Sequence, residues 1–358
     1  MKIPTITLVV SVALFVTGQP SIAQDQFDRD YGTAADGDLL VTTIQAVNPS
    51  TELINDHGAG SSELLVADTS SFAVGDEIMI IQLQGDSAGR FEFARVQSTT
   101  TGSFTLQSPL SYGYLSGMGS DHAAAVRVPN YDTVTIADGG VLTTDGWIGT
   151  QGGVLALRAA TSVTVEPNGS IDVSFLGYRG GNQVDGDSTR YGYQGESYRG
   201  PGVSDWHRND SGGGGCYEQV GCCTEGAGGG GCGTAGDPGQ DGTASGPGEG
   251  GGVYAQGPSY LLFGAGGGAG IQSSGARAGG SGAGAILIFS PAITCSGPVA
   301  ADGGAGASAS WGGAGGGAGG SIWLVADTVD LGVGQVGALG GAGGVGGGYP
   351  NNTNGGDG

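Results

Sequence analysis

Short apolar alternations, each about four to eight residues long, dominate the first third of the chain. Examples are Ile78–Leu83, Phe91–Val96 and Phe104–Leu106, which are separated by Gly, Ser, Thr and Asp. Because the side chains of a strand alternate between two faces, this pattern predicts half-buried β-strands. No helical period of useful length appears after the N-terminal segment. We therefore predict a small antiparallel β-module over residues 38–122, preceded by a flexible N-terminus at residues 24–37.

One template then recurs four times: pairs of alternating apolar residues separated by short turns. The copies are Val126, Val128, Val134, Ile136 and Val141; Leu155, Leu157, Val163, Val165, Ile171 and Val173; Ile286, Ile288, Ile293, Cys295, Val299 and Ala301; and Ile322, Leu324, Val329, Leu331, Val336 and Ala338. The spacing of the copies fits one coil each of a parallel β-solenoid. We predict an all-β fold in which the antiparallel module is followed by a short parallel β-solenoid, with two coils at 123–177 and two at 283–345. A chance match of four edge strands is the alternative.

The second and third copies are separated by an insertion at residues 178–282, and a flexible tail is predicted at 346–358. Of the 358 residues, 81 are Gly, and from Tyr178 onward about one residue in three is Gly, against about 7% in average proteins. Gly-rich segments either stay disordered or form helices of the polyproline-II type that bond to one another through their N–H and C=O groups. In the packed case, Tyr254, Tyr260, Phe263 and Trp311 would seal the edges. Collagen is excluded because no strict Gly-x-y period exists.

The N-terminus has the pattern of a secretory signal peptide. Lys2 precedes the apolar run Leu8–Val16, and Ser21-Ile22-Ala23 supplies small residues for cleavage after residue 23. The formal net charge is −22, and Lys2 is the only lysine. We predict an extracellular or cell-surface location with no membrane insertion after cleavage of residues 1–23. Nucleic acid is a poor partner, because binding it requires clustered basic residues.

Four of the five cysteines fall inside the insertion: Cys216, Cys222, Cys223 and Cys232. In an exported chain they are candidates for two disulfides that staple a loop with little apolar core, and their connectivity is open. A metal site with His207 is the alternative, although the common Cys-x2-Cys spacing of zinc sites is missing. Cys295 holds the template position of Ile136, Val165 and Leu331, which predicts a buried free thiol.

Candidate catalytic and metal-binding groups are few. His57, His122 and His207 lie in separate segments, and none forms a His-x-x-x-His pair. Carboxylates follow strand pairs at Asp138, Asp145, Asp172 and Asp302, where they fit either turn chemistry or glycan cleavage. Three acidic turns, Asp36–Asp38, Asp185–Asp187 and Asp237–Asp241, are either solvated or able to hold Ca²⁺. We predict that the protein is not an enzyme and needs no cofactor. Ca²⁺ is the one metal ion that it could bind, and we assign no residue as a metal ligand.

Large planar and guanidinium side chains gather in the insertion, and such groups dominate binding surfaces. The partner-binding candidates are Tyr191, Tyr193, Tyr198, Arg199, Trp206 and Arg208; the alternative is that they pack against the solenoid. The sequence favours a secreted or cell-surface structural or adhesive protein that presents its insertion to an extracellular protein or glycan surface. The alternative is a glycan-binding or glycan-cleaving β-solenoid protein. Ice binding would require regular Thr rows, which the tail lacks.

Several short motifs resemble glycine-rich secreted proteins of myxobacteria and related bacteria. They are Phe72–Asp76, Arg127–Tyr131, Gly152–Leu157, Gly177–Gly181, Tyr193–Tyr198 and Ser259–Gly268. This resemblance implies a surface-associated bacterial protein. The glycine runs are also similar, more weakly, to the glycine-rich ectodomain of the anaplastic lymphoma kinase family. That similarity implies packed polyglycine-II helices and no particular ligand.

Overall fold

The computed structural model describes residues 30–117, 119–182, 189–219, 223–242, 246–254, 260–272, 275–333, 335–347 and 353–358. The signal peptide predicted at residues 1–23 lies outside them. Every regular element in these ranges is a β-strand, which confirms the all-β class. Within the same ranges, no helix has the length and apolarity needed to cross a membrane.

The described ranges contain twenty-three strands. They are β1 (Leu39–Val41), β2 (Ile44–Ala46), β3 (Ser50–Glu52), β4 (Glu63–Leu65), β5 (Glu77–Gln84), β6 (Phe91–Thr100), β7 (Ser103–Leu106), β8 (His122–Arg127), β9 (Asn130–Ile136), β10 (Val141–Thr143), β11 (Val154–Val165), β12 (Ser170–Asp172), β13 (Thr189–Tyr191), β14 (Tyr217–Gln219), β15 (Cys223–Thr224), β16 (Gly270–Gln272), β17 (Gly275–Arg277), β18 (Ala285–Phe289), β19 (Ala292–Cys295), β20 (Val299–Ala300), β21 (Ser321–Val325), β22 (Thr328–Leu331) and β23 (Val336–Gly337).

The antiparallel module is one six-stranded sheet in the order β3-β8-β5-β6-β7-β4. Its long central strand β5 is buried along its whole length. One face of the sheet packs around Leu53, Phe104 and Tyr114, and the other face meets the rest of the molecule through Met79 and Ile81. All six strands come from residues 50–127.

Twelve further strands form a parallel stack, which we define as five rows of paired strands. The rows are β1–β2, β9–β10, β11–β12, β18–β20 and β21–β23. Val163 lies opposite both Val134 and Ile293, and Ile293 lies opposite Val329. These alignments are the ones that the sequence template predicts. The inward-facing residues of the second to fourth rows are almost fully buried and form a single core.

The structure corrects the template at two places. Val126 pairs with Met79 inside the antiparallel module, so Val126 and Val128 are not the first apolar pair of a coil. In the turn that follows, Leu142 aligns with Ile171 and is fully buried, while Val141 is only half-buried. The template was shifted there by one residue, and a one-residue shift in a strand exchanges its two faces.

The chain before the module also differs from expectation. β1 and β2 pair with β9 and β10, so residues 39–46 form the first row of the stack and are not part of the module. The described part of the preceding segment, from residue 30 onward, contacts the second row and the module. Asp36 binds Arg127 and accepts from the N–H of Asn130 at 2.6 Å.

A buried ion pair ties the module to the stack. Arg158 of β11 donates from Nε to both Glu77 carboxylate oxygens at 3.0 Å, and the two side chains are about 5% exposed. The guanidinium also lies over the rings of Phe93 and Phe289, at 4.6 and 4.5 Å from their centroids. Cation–π contacts and paired carboxylate oxygens together compensate for the desolvation of this charge.

The Gly-rich half forms what we call the glycine array: twelve described segments that lie side by side. They span residues 177–181, 192–197, 212–216, 225–231, 236–240, 248–252, 264–269, 279–283, 301–309, 312–320, 338–346 and 353–358. They bond to one another through backbone N–H and C=O groups, and their glycines are largely buried. The described Gly-rich segments thus follow the packed alternative and not the disordered one.

Segment 264–269 shows the rule of this packing. Each of its residues takes part in bonds of 2.8–3.2 Å, and bonds to a given neighbour recur at every third residue. Three neighbours accept from N–H groups of this segment: 279–283 from Gly264 and Gly267, 192–197 from Gly266 and Ala269, and 225–231 from Gly268. Three others donate to its C=O groups: 177–181 to Gly264 and Gly267, 312–320 to Ala265 and Gly268, and 212–216 to Gly266 and Ala269. Segments 225–231 and 312–320 are likewise surrounded on six sides. Three residues per turn is the repeat of a polyproline-II-type helix.

Close approach of the backbones explains why these positions are glycine. A Cβ on Gly267 would lie 2.2 Å from the carbonyl oxygen of Gly315, and one on Gly315 would lie 1.9 Å from that of Gly228. Carbon and oxygen atoms cannot approach so closely without a shift of the backbone. These glycines are therefore required by contact, and the other buried positions of segment 264–269, Ala265 and Ala269, carry only methyl groups.

Successive segments run alternately away from the stack and back to it. Segment 279–283 leads directly into β18, and 312–320 leads into β21. Each is antiparallel to 264–269, because Gly264 bonds with Ala283 while Gly267 bonds with Gly280. The array therefore has a stack end, joined to the strands, and a far end, where loops connect one glycine segment with the next.

Candidate functional site: the surface of the glycine array

The far end carries two small antiparallel pieces of sheet. β13, β14 and β15 form one, and β16 pairs with β17 in the other. A minor apolar cluster of Cys216, Ala227 and Ile271, with Trp311 packed against it, closes the array beneath them. Trp311 thus seals an edge, as the sequence predicts. The far end presents loops on a base with fixed geometry.

Two tyrosines meet at this end. The ring of Tyr191, a predicted partner-binding residue, lies 5.1 Å from that of Tyr217. Both side chains are half-buried, so part of each ring faces solvent. Tyr193 lies nearby, where it forms an isolated bridge with Ser204. Tyr217 was not identified from the sequence, because nothing in the spacing of Tyr191 and Tyr217 shows that they lie on adjacent strands.

Trp206 and Arg208 occupy the flank of the array. The Trp206 ring is half-buried and lies 3.9 Å from the imidazole of His207, whose Nδ1 is 2.8 Å from Asp205. The backbone N–H of Arg208 donates to Glu249 at 3.2 Å, and the Arg208 side chain is exposed. The flank therefore combines one aromatic surface with charges of both signs.

Tyr198 and Arg199 lie at the contact with the antiparallel module. Tyr198 is stacked on Tyr254 with 3.6 Å between ring centroids, and the Arg199 guanidinium covers Tyr198 at 5.1 Å. Arg199 also pairs with Asp86 of the module and lies 3.4 Å from Asp210. The six predicted binding residues are thus spread over three locations. Of the six, Tyr198 and Arg199 contact other parts of the molecule.

An aromatic cluster joins the array to the other two regions. Trp147, Tyr178 and Phe263 meet edge to face at 5.4–6.0 Å, and all three are buried. The Tyr178 hydroxyl donates to the Leu83 carbonyl, and burial raises the pKa of this phenol well above its ordinary value. Phe263 was predicted to seal the array, and it does so at the stack end.

Side-chain oxygens replace missing neighbours at the rim of the array. Segment 338–346 has segments on only part of its circumference, and four of its outward N–H groups donate to side chains. The acceptors are Asp302 for Leu339 (2.7 Å), Asp357 for Gly343 (2.8 Å), Ser308 for Val345 (3.1 Å) and Asn354 for Gly346 (3.0 Å). Asp302 was identified from the sequence only as a carboxylate that follows a strand, and the other three residues were missed. Short polar residues inside Gly-rich runs are the signal that could have identified them.

Asp138 and Asp172, two of the carboxylates that follow strands, have similar structural roles. Asp138 accepts from the N–H of Asn168 at 3.0 Å, and Asp172 accepts from Ser174 at 2.8 Å. Asp36 and Asp38, in the first acidic turn, are bonded to Arg127 and Thr133. Residues 185–187 lie outside the described ranges. In the part of the chain that the structure describes, no three His, Cys, Asp or Glu side chains are grouped closely enough to hold a metal ion.

The described cysteines are buried. Cys295 lies opposite both Val165 and Leu331 and is a free thiol, as the template predicts. Burial raises the pKa of Cys295 and of Cys232 to about 11, which keeps both thiols protonated at neutral pH. Cys216 packs in the far-end cluster. Cys232 is a free thiol in the structure, which differs from its predicted place in a disulfide. Cys222 and the side chain of Cys223 lie outside the described part, so the pairing of the remaining candidates stays a prediction.

The three histidines lie apart from one another. His57 accepts from the N–H of Leu65 at 3.2 Å beside a cavity of about 390 Å³, and burial lowers its pKa. His122 is 3.4 Å from Glu52 in the module, and His207 lies on the flank of the array. Each has a local structural partner.

Comparison with known proteins gives little. No family model matches the chain, and no curated protein does so. Among solved structures, similarity is found to the tailspike protein gp49 of Pseudomonas phage LKA1 (18% identity, 36% of this chain, 23% of that one, TM-score 0.20). The Gp54 tailspike of Acinetobacter baumannii bacteriophage AP22, in complex with capsular saccharide, gives 13% identity, 36% and 26% coverage and a TM-score of 0.21. The Pseudomonas phage phi297 tailspike gp61 has 16% identity, with 38% of this chain and 24% of that one covered, and a TM-score of 0.20. The chain spans about a quarter of the length of these tailspikes, and at such TM-scores the similarity carries no argument.

Proposed function

We propose that this chain is a non-catalytic, secreted or cell-surface structural or adhesive protein of bacterial origin that presents the surface of its glycine array to an extracellular partner. In this proposal the parallel stack is a short β-solenoid, and the array is a bundle of polyglycine-II-type helices. The glycine-rich secreted proteins that the chain resembles are its proposed relatives.

The observation that carries the proposal is the geometry of the array. Segment 264–269 is bonded on six sides, and its glycines leave no room for a Cβ. Such an interior has no side chains that could rearrange. The alternating direction of the segments brings successive loops together at the far end. A rigid base with clustered loops is a common way to display binding residues.

The structure favours Tyr191, Trp206 and Arg208 as contact residues among the six candidates. Tyr191 and Trp206 keep part of their rings exposed, and Arg208 extends into solvent. Tyr198 and Arg199 serve instead to hold the array against the module, through Tyr254 and Asp86. We assign the partner-binding surface to the far end and the adjoining flank.

Structural use of the carboxylates supports a non-catalytic role. Glycosidases need two carboxyl groups, about 5 to 10 Å apart, flanking one substrate site. Asp138, Asp172 and Asp302 accept bonds from backbone N–H groups at three separate places. A glycan-binding or glycan-cleaving solenoid is the second candidate, and Asp145 and Asp172 are the residues on which cleavage would depend.

One experiment separates these functions. The purified protein is immobilised and tested for retention of intact bacterial cells and of purified capsular polysaccharides, while released reducing ends are measured. We expect retention without release. Truncating Trp206→Ala or Tyr191→Ala should weaken retention about fivefold or more, as loss of a central aromatic contact does. Val253→Ala, at a valine that is 56% exposed, is the matched control. Release of reducing ends that disappears in Asp145→Asn or Asp172→Asn would establish the enzyme instead.

A further inference from the structure

The inward-facing residues of the two end strands, β1 and β21, are covered to different extents, although no described strand lies on the outer side of either. At the first row, Val41 is fully buried and Leu39 is 9% exposed. At the fifth row, every residue of β21 is half-buried, although the aligned residues of β18 in the fourth row are all buried. The inward-facing Ile322 and Leu324 therefore continue the core but lack a cover.

The backbone of the fifth row is open as well. β21 pairs with β18, β22 with β19 and β23 with β20, and no described strand lies on their other side. Terminal repeats of stacked folds normally carry a polar outer surface, and open sheet edges are normally blocked. Here the adjoining residues are apolar: Val333 is fully exposed, and Leu339 is 50% exposed.

The rim of the array, next to this edge, is closed. Asp302 and Ser308 accept from the outward N–H groups of Leu339 and Val345, which a further segment would otherwise bind. The same protein thus blocks one lateral edge with side-chain acceptors and leaves the adjacent one unblocked. This contrast indicates that the strand edge is a binding surface and that the array rim is not.

We propose that the edge formed by β21, β22 and β23 binds an extended strand of a partner polypeptide, which adds a sixth row to the stack. Strand addition to an open edge combines main-chain hydrogen bonds with pockets for alternate side chains. The partner strand would place apolar residues over Ile322 and Leu324. It would also carry a basic residue beside Asp330, which is exposed on β22.

Charge argues against a second copy as the occupant. The chain has a formal net charge of −22, and its only lysine is Lys2, so two copies repel each other. A partner with Lys or Arg next to its apolar positions meets the opposite charge at Asp330. The proposal therefore commits to a basic, strand-forming polypeptide.

Hydrogen exchange with a synthetic probe tests this inference. The probe copies residues 285–301 of this chain, the natural neighbour of the fifth row, with Cys295→Ser and two lysines at each end. When the probe is bound, we expect the amides of residues 321–325 and 328–331 to exchange about tenfold more slowly than in the unbound protein. A probe with Ile286→Pro and Ile288→Pro, which lacks two donors, is the matched control and should give no protection.

Variants of the full chain locate the site. Leu324→Lys should abolish protection by the probe, whereas Leu40→Lys, at an exposed leucine of the first row, should leave it unchanged. Asp330→Asn should weaken probe binding several-fold at low salt and less at high salt. Failure of Leu324→Lys to fold would be seen as faster hydrogen exchange in β18. In that case Asp330→Asn provides the test.

Three results would overturn the proposal. The first is exchange of residues 321–325 in the unbound protein as slow as that of β18. The second is no added protection at saturating probe. The third is protection that rises with protein concentration alone, together with a dimer in sedimentation, which would identify a second copy as the occupant. None of these results depends on whether the far end of the array binds a cell surface.

Discussion

Leu157 of the parallel stack and Gly267 of the glycine array are both buried, for opposite reasons. Leu157 is covered by other side chains, and its exposed fraction is 0%. Gly267 is covered by backbone, since a Cβ there would lie 2.2 Å from a carbonyl oxygen. The stack removes apolar surface from water, whereas the array mainly pairs N–H and C=O groups at close range. One chain therefore has two interiors with opposite requirements for side-chain volume.

The largest effect is expected from adding a single methyl group to the array. Gly315→Ala would place a Cβ 1.9 Å from the Gly228 carbonyl oxygen. Segments 312–320, 225–231 and 264–269 meet there, so none of the three backbones can move independently. We therefore expect the free energy of unfolding to fall by about 3 kcal/mol or more. Thermal or denaturant unfolding measures this loss. Gly233→Ala, where nothing lies within 4 Å, should be nearly neutral, and equal effects at the two sites would disprove contact as the cause.

The stack should respond to removal of volume instead. Leu157→Ala leaves a cavity in the core and should lower the free energy of unfolding by about 2–5 kcal/mol. Leu40→Ala in the first row, where the side chain is 62% exposed, is the control and should change it by about 0.5 kcal/mol or less. If the two variants unfold at the same denaturant concentration, Leu157 does not contribute to a closed core.

The rim of the array should be less sensitive than its interior. Asp302→Ala removes the acceptor for the N–H of Leu339, with an expected loss of about 1 kcal/mol. Asp302→Asn retains the oxygen acceptor and should recover most of that stability. Hydrogen exchange at Leu339 gives the local measurement, and unchanged exchange in Asp302→Ala would show that the carboxylate does not close the rim.

The smallest effect is expected at the buried thiols. The pKa of Cys295 is raised to about 11 by burial, so the thiol is protonated and inaccessible at pH 8. Thiol reagents should therefore leave Cys295 unmodified in the native protein and label it only after unfolding. Peptide mapping of labelled protein checks this expectation. Rapid labelling of native protein would mean that the core of the stack opens locally.

Sequence reasoning succeeded in the stack because alternation leaves a clear record there. Val163, Ile293 and Val329 lie in one column of paired strands, as their spacing predicts. It failed for residues 39–46, since the whole antiparallel module separates this first row from the second. It also misplaced Val126, because an apolar pair has the same pattern in either kind of sheet.

The array was predictable only in kind. A Gly run has no apolar pattern, so the neighbours of segment 264–269 could not be read from the sequence. Even the partner-binding candidates were grouped by closeness along the chain, whereas the array separates Tyr191 from Tyr198 and brings Tyr191 to Tyr217. Backbone hydrogen bonds between distant segments decide these contacts, and a Gly run does not record which segments pair.

The alternating direction of the glycine segments has a consequence for how such a protein can change during evolution. An outgoing segment and its return form a hairpin that begins and ends at the same side of the array. A hairpin inserted or deleted at the rim leaves the direction of every remaining segment intact, whereas gain or loss of a single segment reverses all that follow. Homologous chains should therefore differ in length by pairs of glycine segments.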